Sequence, residues 1–228
     1  KARSENKFLD FVPVLTQLIE LKKRWAEYVS PELHPYDANI DLYERGTTMK
    51  DLTPVFETLK TELIPFIREI QESDYKPDTS FLFGEYSIKK QEELGRKISQ
   101  DMGFAFDRGR MDVSVHPFCG GSHPTDVRIT TRYRNDNFIE SLYAVIHETG
   151  HGLYEQGRMK EGRDLPVSEA LTMGIHESQS LFWERMIGQS LAFCNRYLPV
   201  IRNTFPDIFQ DISSKQLYEA VNKSEVSY

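Results

Sequence analysis

The spacing of apolar residues predicts a chain built mainly from helices. Apolar residues recur at intervals of three and four, the stripe of an amphipathic helix, from residue 6 to about residue 28 and again over residues 49–70. The first stripe is expected to be core packing. Further helices are predicted over residues 88–102, from about 138 into 147, and over about 168–188. Pro31 and Pro35 separate the first two helices.

Two segments in the middle of the chain have the alternation of β-strands. Residues 111–115 and 127–133 place apolar side chains at every second position. Between them lies a turn-rich loop, residues 119–124, which predicts that the two strands pair as an antiparallel hairpin. We therefore expect a mainly α fold with a small antiparallel β-sheet, formed by residues 1–228 as a single domain.

One predicted helix contains the pattern of a zinc site. His147, Glu148 and His151 form an HExxH motif, and residues four apart lie on one face of a helix, so both imidazoles can bind one zinc ion. Glu148 stands about 100° round the same turn, where it can act as general base toward a water molecule. Gly150 and Gly152 allow close backbone approach. The alternative is that both histidines are inert side chains on a half-buried helix.

A catalytic zinc ion needs a third protein ligand, which has to come from a second element. Glu177 is the expected ligand, because it and His176 are polar residues in an otherwise apolar helical run and would be costly there without partners. An exposed helix face is the alternative for Glu177. His176 could orient a ligand or could simply be a packed side chain.

Three side chains beside the predicted strands are weaker candidates for substrate binding. His116 follows the first strand and could donate a hydrogen bond to substrate or to an oxyanion. Arg128 and Arg132 point to the same face of the second strand and could bind a carboxylate, although pairing with acids such as Asp126 is the favoured interpretation. The strand at 126–134 could hold an extended peptide by edge pairing, as a substrate-binding strand beside the HExxH helix.

Composition argues against several other classes of protein. The net charge is −7, the pI is near 5.5 and there is no basic run, so nucleic acid is not an expected partner. No apolar stretch approaches the roughly 20 residues that span a bilayer, so no membrane association is expected. The first residues begin no signal-peptide pattern, and Cys119 and Cys194 cannot form a disulfide framework. The expected location is the cytoplasm.

Four ordered motifs resemble those of the thermostable carboxypeptidase Taq family of HExxH zinc metallocarboxypeptidases. They are His-Pro-Phe at 116–118, Asp-Val-Arg-Ile-Thr at 126–130, the HExxH motif at 147–151 and His-Glu-Ser-Gln at 176–179. The similarity extends to residues 35–37, 41–46 and 109–115, so it covers most of the chain.

The resemblance implies a mainly helical fold, homodimers in the full-length form, a zinc or cobalt ion, and removal of C-terminal residues from peptide substrates. It also implies that His147, His151 and Glu177 are the metal ligands and that Glu148 is the general base. Family members are longer, so residues 1–228 are expected to form a metallopeptidase catalytic domain that lacks N- and C-terminal parts of the full fold. An arginine-containing motif of the family would follow Tyr228, and the chain alone is therefore expected to bind metal but to cleave weakly.

The expected reaction is zinc-promoted attack of water on a peptide carbonyl, with Glu148 taking the proton and passing it to the departing amine. Two alternatives stay open at the level of sequence. An endopeptidase or aminopeptidase could use the same zinc site, and a truncated module could bind metal with little or no turnover.

Overall fold

Helices dominate the structure, and the prediction of a mainly α fold with a small sheet is confirmed. The computed structural model describes residues 1–3, 5–159, 161–162 and 164–224. The chain separates into two compact units, one of Lys1–Glu72 with Thr172–Gly174 and the other of Ser73–Leu171 with residues 175 onward. The single-domain organisation stays a prediction. Within the described ranges, no helix is both long and apolar enough to cross a membrane.

The helices of the first unit are α1 (Phe8–Val29), α2 (Pro35–Asp41) and α3 (Met49–Glu72). The sequence did not predict α2. This helix begins at Pro35, whose fixed φ suits a first helical position, and the His34 imidazole accepts a hydrogen bond from the Tyr36 backbone N–H.

The apolar stripe of α1 is largely exposed. Among the described residues of α1 only Ala26 is buried, and Leu18 in the middle of the stripe is 51% exposed. The expectation that this stripe is core packing is therefore wrong for this structure. The physical reason is that periodicity identifies the apolar side of a helix but does not specify what covers it.

The second unit contains the helices that follow in the chain. They are α4 (Ile88–Met102), α5 (Ile139–Gln156), α6 (Met173–Leu181, whose first two residues group with the first unit), α7 (Leu191–Thr204), α8 (Pro206–Phe209) and α9 (Ser214–Val221). Short 3₁₀ turns form at Ser80–Leu82 and Pro166–Ser168. The helix predicted over residues 168–188 starts later than expected and continues beyond α6 as a π-helical segment, Phe182–Gly188.

The sheet differs from the predicted hairpin. Its strands are β1 (Gly109–Val113), β2 (Cys119–His123) and β3 (Asp126–Thr131), in the order β1-β3-β2. β3 pairs parallel with β1 and antiparallel with β2, so the sheet is mixed and the predicted antiparallel pairing of the first and last strands is wrong. The segment expected to be a loop is itself β2. Gly120 and Gly121 have no side chains, so this strand shows no alternation in the sequence.

The main core of the second unit surrounds the first half of α5. Phe138, directly before α5, packs edge-on against Phe209 with ring centroids 5.4 Å apart. A smaller cluster joins Phe104 to Val127 and Ile129 of β3. The core therefore holds α5 between other helices and β3. Core residues contributed by α4, α5 and α7 include Leu94, Ile98, Leu142, Ile146, Leu198 and Ile201.

Two glycines let α5 approach its neighbours closely, as the sequence predicted. A Cβ added to Gly152 would lie 2.7 Å from the Phe104 ring, and one added to Gly150 would lie 2.7 Å from Ser180 Cα. Neither position has room for a side chain. The contact at Gly150 is a backbone contact between α5 and α6, and it sets the distance between the two helices.

We predict that Gly150→Ala destabilises the protein although alanine is the better helix former. Alanine gains at most about 1 kcal/mol in helix propensity, whereas its Cβ would press on the Ser180 backbone and force α6 outward at a cost of about 1–3 kcal/mol. The measurement is the midpoint of urea unfolding. Gly120→Ala is the control, because a Cβ there meets Phe118 ring carbons at an ordinary 3.7 Å. An unchanged midpoint for Gly150→Ala would contradict the close packing of α5 and α6.

Candidate metal centre

Three potential ligand side chains converge between α5 and α6. His147 and His151 lie one turn apart on α5, and Glu177 faces them from α6; one ligand atom of each lies within 4.8 Å of the others. The Glu177 carboxylate oxygens are 3.7 Å from His147 Nε2 and 3.2 Å from His151 Nε2. The structure thus brings together the three residues that the sequence singled out, in a group that could hold a divalent metal ion.

His147 is held from behind by a carboxylate. Its Nδ1 is 2.8 Å from Glu184 Oε2, and Glu184 lies on the π-helical segment after α6 and also pairs with Arg185. The hydrogen bond with Glu184 is the main reason why the pKa of His147 is raised, and burial opposes it. Because Nδ1 donates to a carboxylate, Nε2 is the nitrogen that faces Glu177.

His151 has a different environment one turn further along. Its Nδ1 is 2.6 Å from His176 Nδ1. Burial lowers the pKa of His151 to about 4, and the neighbouring imidazoles of His176 and His147 add to this effect. His151 is therefore neutral at neutral pH, which a metal-ligating imidazole has to be.

Glu148 is buried on the same helix. It is 6% exposed, and its Oε2 has no hydrogen-bond partner in the described part of the protein. Burial raises the pKa of Glu148 to about 7, with further contributions from the negative charges of Glu177 and Glu184. A carboxyl group whose pKa lies near neutrality can both accept and return a proton under ordinary conditions.

The sequence analysis missed three charged residues that support the site. Glu184 holds His147, whereas Glu155 accepts from His176 Nε2 at 2.9 Å and pairs with Arg158 at the same distance. Helical spacing offers a signal for the two glutamates, because Glu155 lies four residues after His151 and Glu184 lies seven residues after Glu177. The partners across the two helices could not be deduced from that spacing.

The weaker candidates lie on exposed positions. The backbone carbonyl of His116 accepts a hydrogen bond from Ser114, Arg128 pairs with Asp126 as the sequence favoured, and Arg132 is 3.9 Å from Glu140. In the described ranges none of the three shares a hydrogen bond or ion pair with the His147, His151 and Glu177 group. A substrate role for His116, Arg128 and Arg132 stays a prediction.

The expectation of edge pairing by the last strand is wrong over Asp126–Thr131. β3 is the central strand, and β1 and β2 occupy its two edges, so no edge is available there to add an extended peptide. Alternation predicts a strand but not whether the strand lies at the edge or the centre of a sheet.

A cavity of about 610 Å³ has His176, which contacts His151, in its lining. Its lining includes Cys119 from β2, together with Glu155, Arg158 and His176. The cavity therefore borders the charged residues that support the candidate ligands.

The two histidines of the HExxH motif lie on one helix, with a buried glutamate between them and a second glutamate facing them. This arrangement defines the class of protein as an HExxH metallopeptidase. The chain belongs to the carboxypeptidase Taq (M32) metallopeptidase family, whose model matches residues 1–228.

Known relatives support the assignment along the whole chain. The chain is 41% identical to Carboxypeptidase 1 of Bacillus subtilis over 228 residues, covering 100% of this chain and 46% of the relative. It is 36% identical to Thermostable carboxypeptidase 1 of Thermus thermophilus over 236 residues, with the same coverage. The chain thus spans about half the length of the curated relatives it matches.

Solved structures show the same fold. The M32 carboxypeptidase from Deinococcus radiodurans aligns with a TM-score of 0.89 at 35% identity, over 97% of this chain and 44% of that one. Pyrococcus furiosus carboxypeptidase aligns with a TM-score of 0.87 at 36% identity, over 96% and 44%. The arrangement of helices and sheet described above is therefore that of this family.

We predict that both cysteine thiols resist alkylation in the folded, metal-free protein. Burial raises the pKa of Cys119 to about 12, with the charges of Glu148 and Glu155 adding to it, and burial raises the pKa of Cys194 to about 11. Because a raised pKa keeps the thiol protonated, Cys119 has roughly a thousandfold less of the reactive thiolate at pH 8 than an unperturbed cysteine. Iodoacetamide followed by mass spectrometry should label neither residue before unfolding in urea and both afterwards. Rapid labelling of folded Cys119 would contradict the prediction.

Proposed function

We propose that this chain contains the catalytic centre of a zinc metallocarboxypeptidase, which hydrolyses C-terminal residues from peptides. The observation that carries the proposal is that the ligand atoms of His147 and His151 on α5 converge with that of Glu177 on α6, beside the buried Glu148 of α5. The names of the related proteins, which are carboxypeptidases, support the reaction and the class of substrate.

The donor set fits zinc. Two imidazole nitrogens and one carboxylate oxygen are a protein ligand set of catalytic zinc sites, which leave a further position open. Glu148 Oε2 supports the same conclusion, because a buried carboxyl oxygen with no donor among the described residues requires an external polar partner such as water. A zinc ion held there supplies Lewis-acid polarisation of a carbonyl group and lowers the pKa of water. Cobalt is the proposed substitute, since it accepts similar ligands.

Glu148 is proposed to serve both proton transfers of the reaction. The carboxylate takes a proton from the water that attacks the scissile carbonyl, and the resulting carboxyl group gives this proton to the amine that leaves. A pKa of about 7, caused mainly by burial, suits this dual role because neither protonation state is strongly disfavoured at neutral pH. His147, His151 and Glu177 would hold the ion, and Glu184 and His176 would hold the two imidazoles in place.

The proposed cellular location, partners and oligomeric state follow from composition and from the resemblance. A cytoplasmic location rests on the two cysteines, which form no disulfide framework. The absence of a nucleic-acid partner rests on the net charge of −7. A homodimer in the full-length form rests on the resemblance alone, and light scattering on the complete protein would test it.

We predict that His147→Ala, His151→Ala and Glu177→Ala each abolish tight binding of one divalent ion per chain, because two remaining ligands make an incomplete site. Metal analysis after dialysis measures the stoichiometry. His116→Ala is the matched control, an exposed histidine outside the group, and should keep one equivalent. Full stoichiometry and affinity in Glu177→Ala would reject it as a ligand and make His176 the next candidate.

We predict that Glu148→Gln keeps the metal and loses turnover by roughly 10²–10⁴-fold, because an amide of the same shape cannot take a proton from water. Single-turnover hydrolysis and metal analysis are run on the same preparation of the complete protein. The pair of measurements separates a base from a ligand, since loss of a ligand costs metal as well. A rate like that of the wild type would reject the role of general base.

A peptide and its C-terminally amidated twin test the carboxypeptidase assignment. The complete protein should shorten the free-acid peptide from its C-terminus and leave the amidated peptide intact, because recognition of a terminal carboxylate requires the charge that amidation removes. Mass spectrometry of the products identifies the bond that is cut. Cleavage of both peptides at an internal or N-terminal bond would instead indicate an endopeptidase or aminopeptidase.

A further inference from the structure

A continuous chain of hydrogen bonds runs outward from His151. His151 Nδ1 is 2.6 Å from His176 Nδ1, and His176 Nε2 is 2.9 Å from Glu155 Oε1. The other Glu155 oxygen accepts from Arg158 Nη1 at 2.9 Å, and Arg158 Nε donates to the Ser168 carbonyl at 2.6 Å. These side chains are largely shielded from solvent, so the bonds compete little with water.

The charges of Glu155 and Arg158, at the outer end of this series of hydrogen bonds, specify which nitrogens of the two histidines carry protons. The Arg158 guanidinium only donates, and the Glu155 carboxylate only accepts, so His176 Nε2 must carry the proton of its bond with Glu155. A neutral His176 then has a lone pair on Nδ1. The 2.6 Å contact in turn makes His151 Nδ1 the donor, which leaves a lone pair on His151 Nε2, the nitrogen that faces Glu177.

One other proton arrangement also satisfies these contacts, and it predicts a different chemistry. In it His176 is a cation that donates from both nitrogens, and His151 carries its proton on Nε2, directed at Glu177. Arg158 already compensates the Glu155 charge, so a second cation at a shielded His176 would be costly. This arrangement also blocks the nitrogen of His151 that a metal ion would need.

We propose that Glu155, held in place by Arg158, acts through His176 to fix His151 in the Nδ1–H tautomer. Glu155 and Arg158 are positioning residues, and the inference deepens the proposed metal centre and rests on it. Histidine in water prefers the proton on Nε2, so His151 needs an acceptor at Nδ1 to present Nε2 as a ligand. Glu184 fixes His147 in the same Nδ1–H tautomer by a direct hydrogen bond.

This series of hydrogen bonds, called the relay below, also positions Glu177. His176 contacts two side chains of α5 that lie one turn apart, His151 at one nitrogen and Glu155 at the other. This double contact ties α6 to two successive turns of α5. Because Glu177 is the next residue along α6, the same bonds determine where its carboxylate meets the histidines.

The test reads the tautomers directly in the metal-free, ¹⁵N-labelled protein at neutral pH. Long-range ¹H–¹⁵N correlation spectra of the imidazoles should show the proton on Nδ1 of His151 and on Nε2 of His176. Glu155→Gln should mix or reverse these tautomers and weaken Zn²⁺ binding about 10–100-fold in a chelator competition assay. Glu169→Gln is the matched control, because Glu169 is an exposed carboxylate on the same cavity, and both readouts should stay unchanged.

Two results would overturn the relay. One is a wild-type spectrum with His151 protonated on Nε2 beside a cationic His176, which needs no variant and so decides the matter even if Glu155→Gln fails to fold. The other is a folded Glu155→Gln protein with unchanged tautomers and affinity. A wild-type protein that shows the expected tautomers but binds no Zn²⁺ supports the relay and rejects the proposed metal centre, so the two failures are distinguishable.

Discussion

Backbone contact between α5 and α6 at Gly150 is the constraint on which the candidate site depends. α5 supplies two imidazoles and the buried Glu148, whereas Glu177 comes from α6. A glutamate side chain is short, so its carboxylate reaches both histidines only if the helix backbones nearly touch. Gly150 lies between His147 and His151 and abuts the Ser180 backbone, where any Cβ would collide. Because Gly150 has no side chain, the carboxylate of Glu177 comes within reach of the polar groups on α5.

Electrostatics at the site depends on this same approach. Burial raises the pKa of Glu148, and the nearby negative charges of Glu177 and Glu184 add to this effect. Their mutual repulsion and the burial of charge oppose folding. A divalent cation among these groups would offset the repulsion, so metal binding and stability are expected to be coupled. The polar groups here are arranged for a cation rather than for a well-packed core.

Local chemistry explains what could be predicted from the sequence. Helical spacing alone placed His147, Glu148 and His151 on one turn, and an uncompensated glutamate in an apolar run identified Glu177, because both signals lie within a single element. Features that depend on contacts between elements were not predicted correctly. They are strand β2, the order of the strands and the burial of the apolar side of α1. Helix α7 was not predicted, and it contains Pro199, a residue that normally interrupts a helix.

The partners of the site residues follow a simple order that only the folded chain reveals. Along α5, residues 147, 151 and 155 lie at intervals of four and form one polar stripe. Their partners on the facing stretch run the opposite way, since His147 meets Glu184 whereas Glu155 meets His176. α5 and the facing stretch are therefore antiparallel. The π-helical segment lets the facing stretch continue beyond α6 far enough to reach His147. In the described ranges, the side-chain contacts that orient His147 and His151 come from this facing stretch, so its register, together with the close approach at Gly150, determines the geometry of the site.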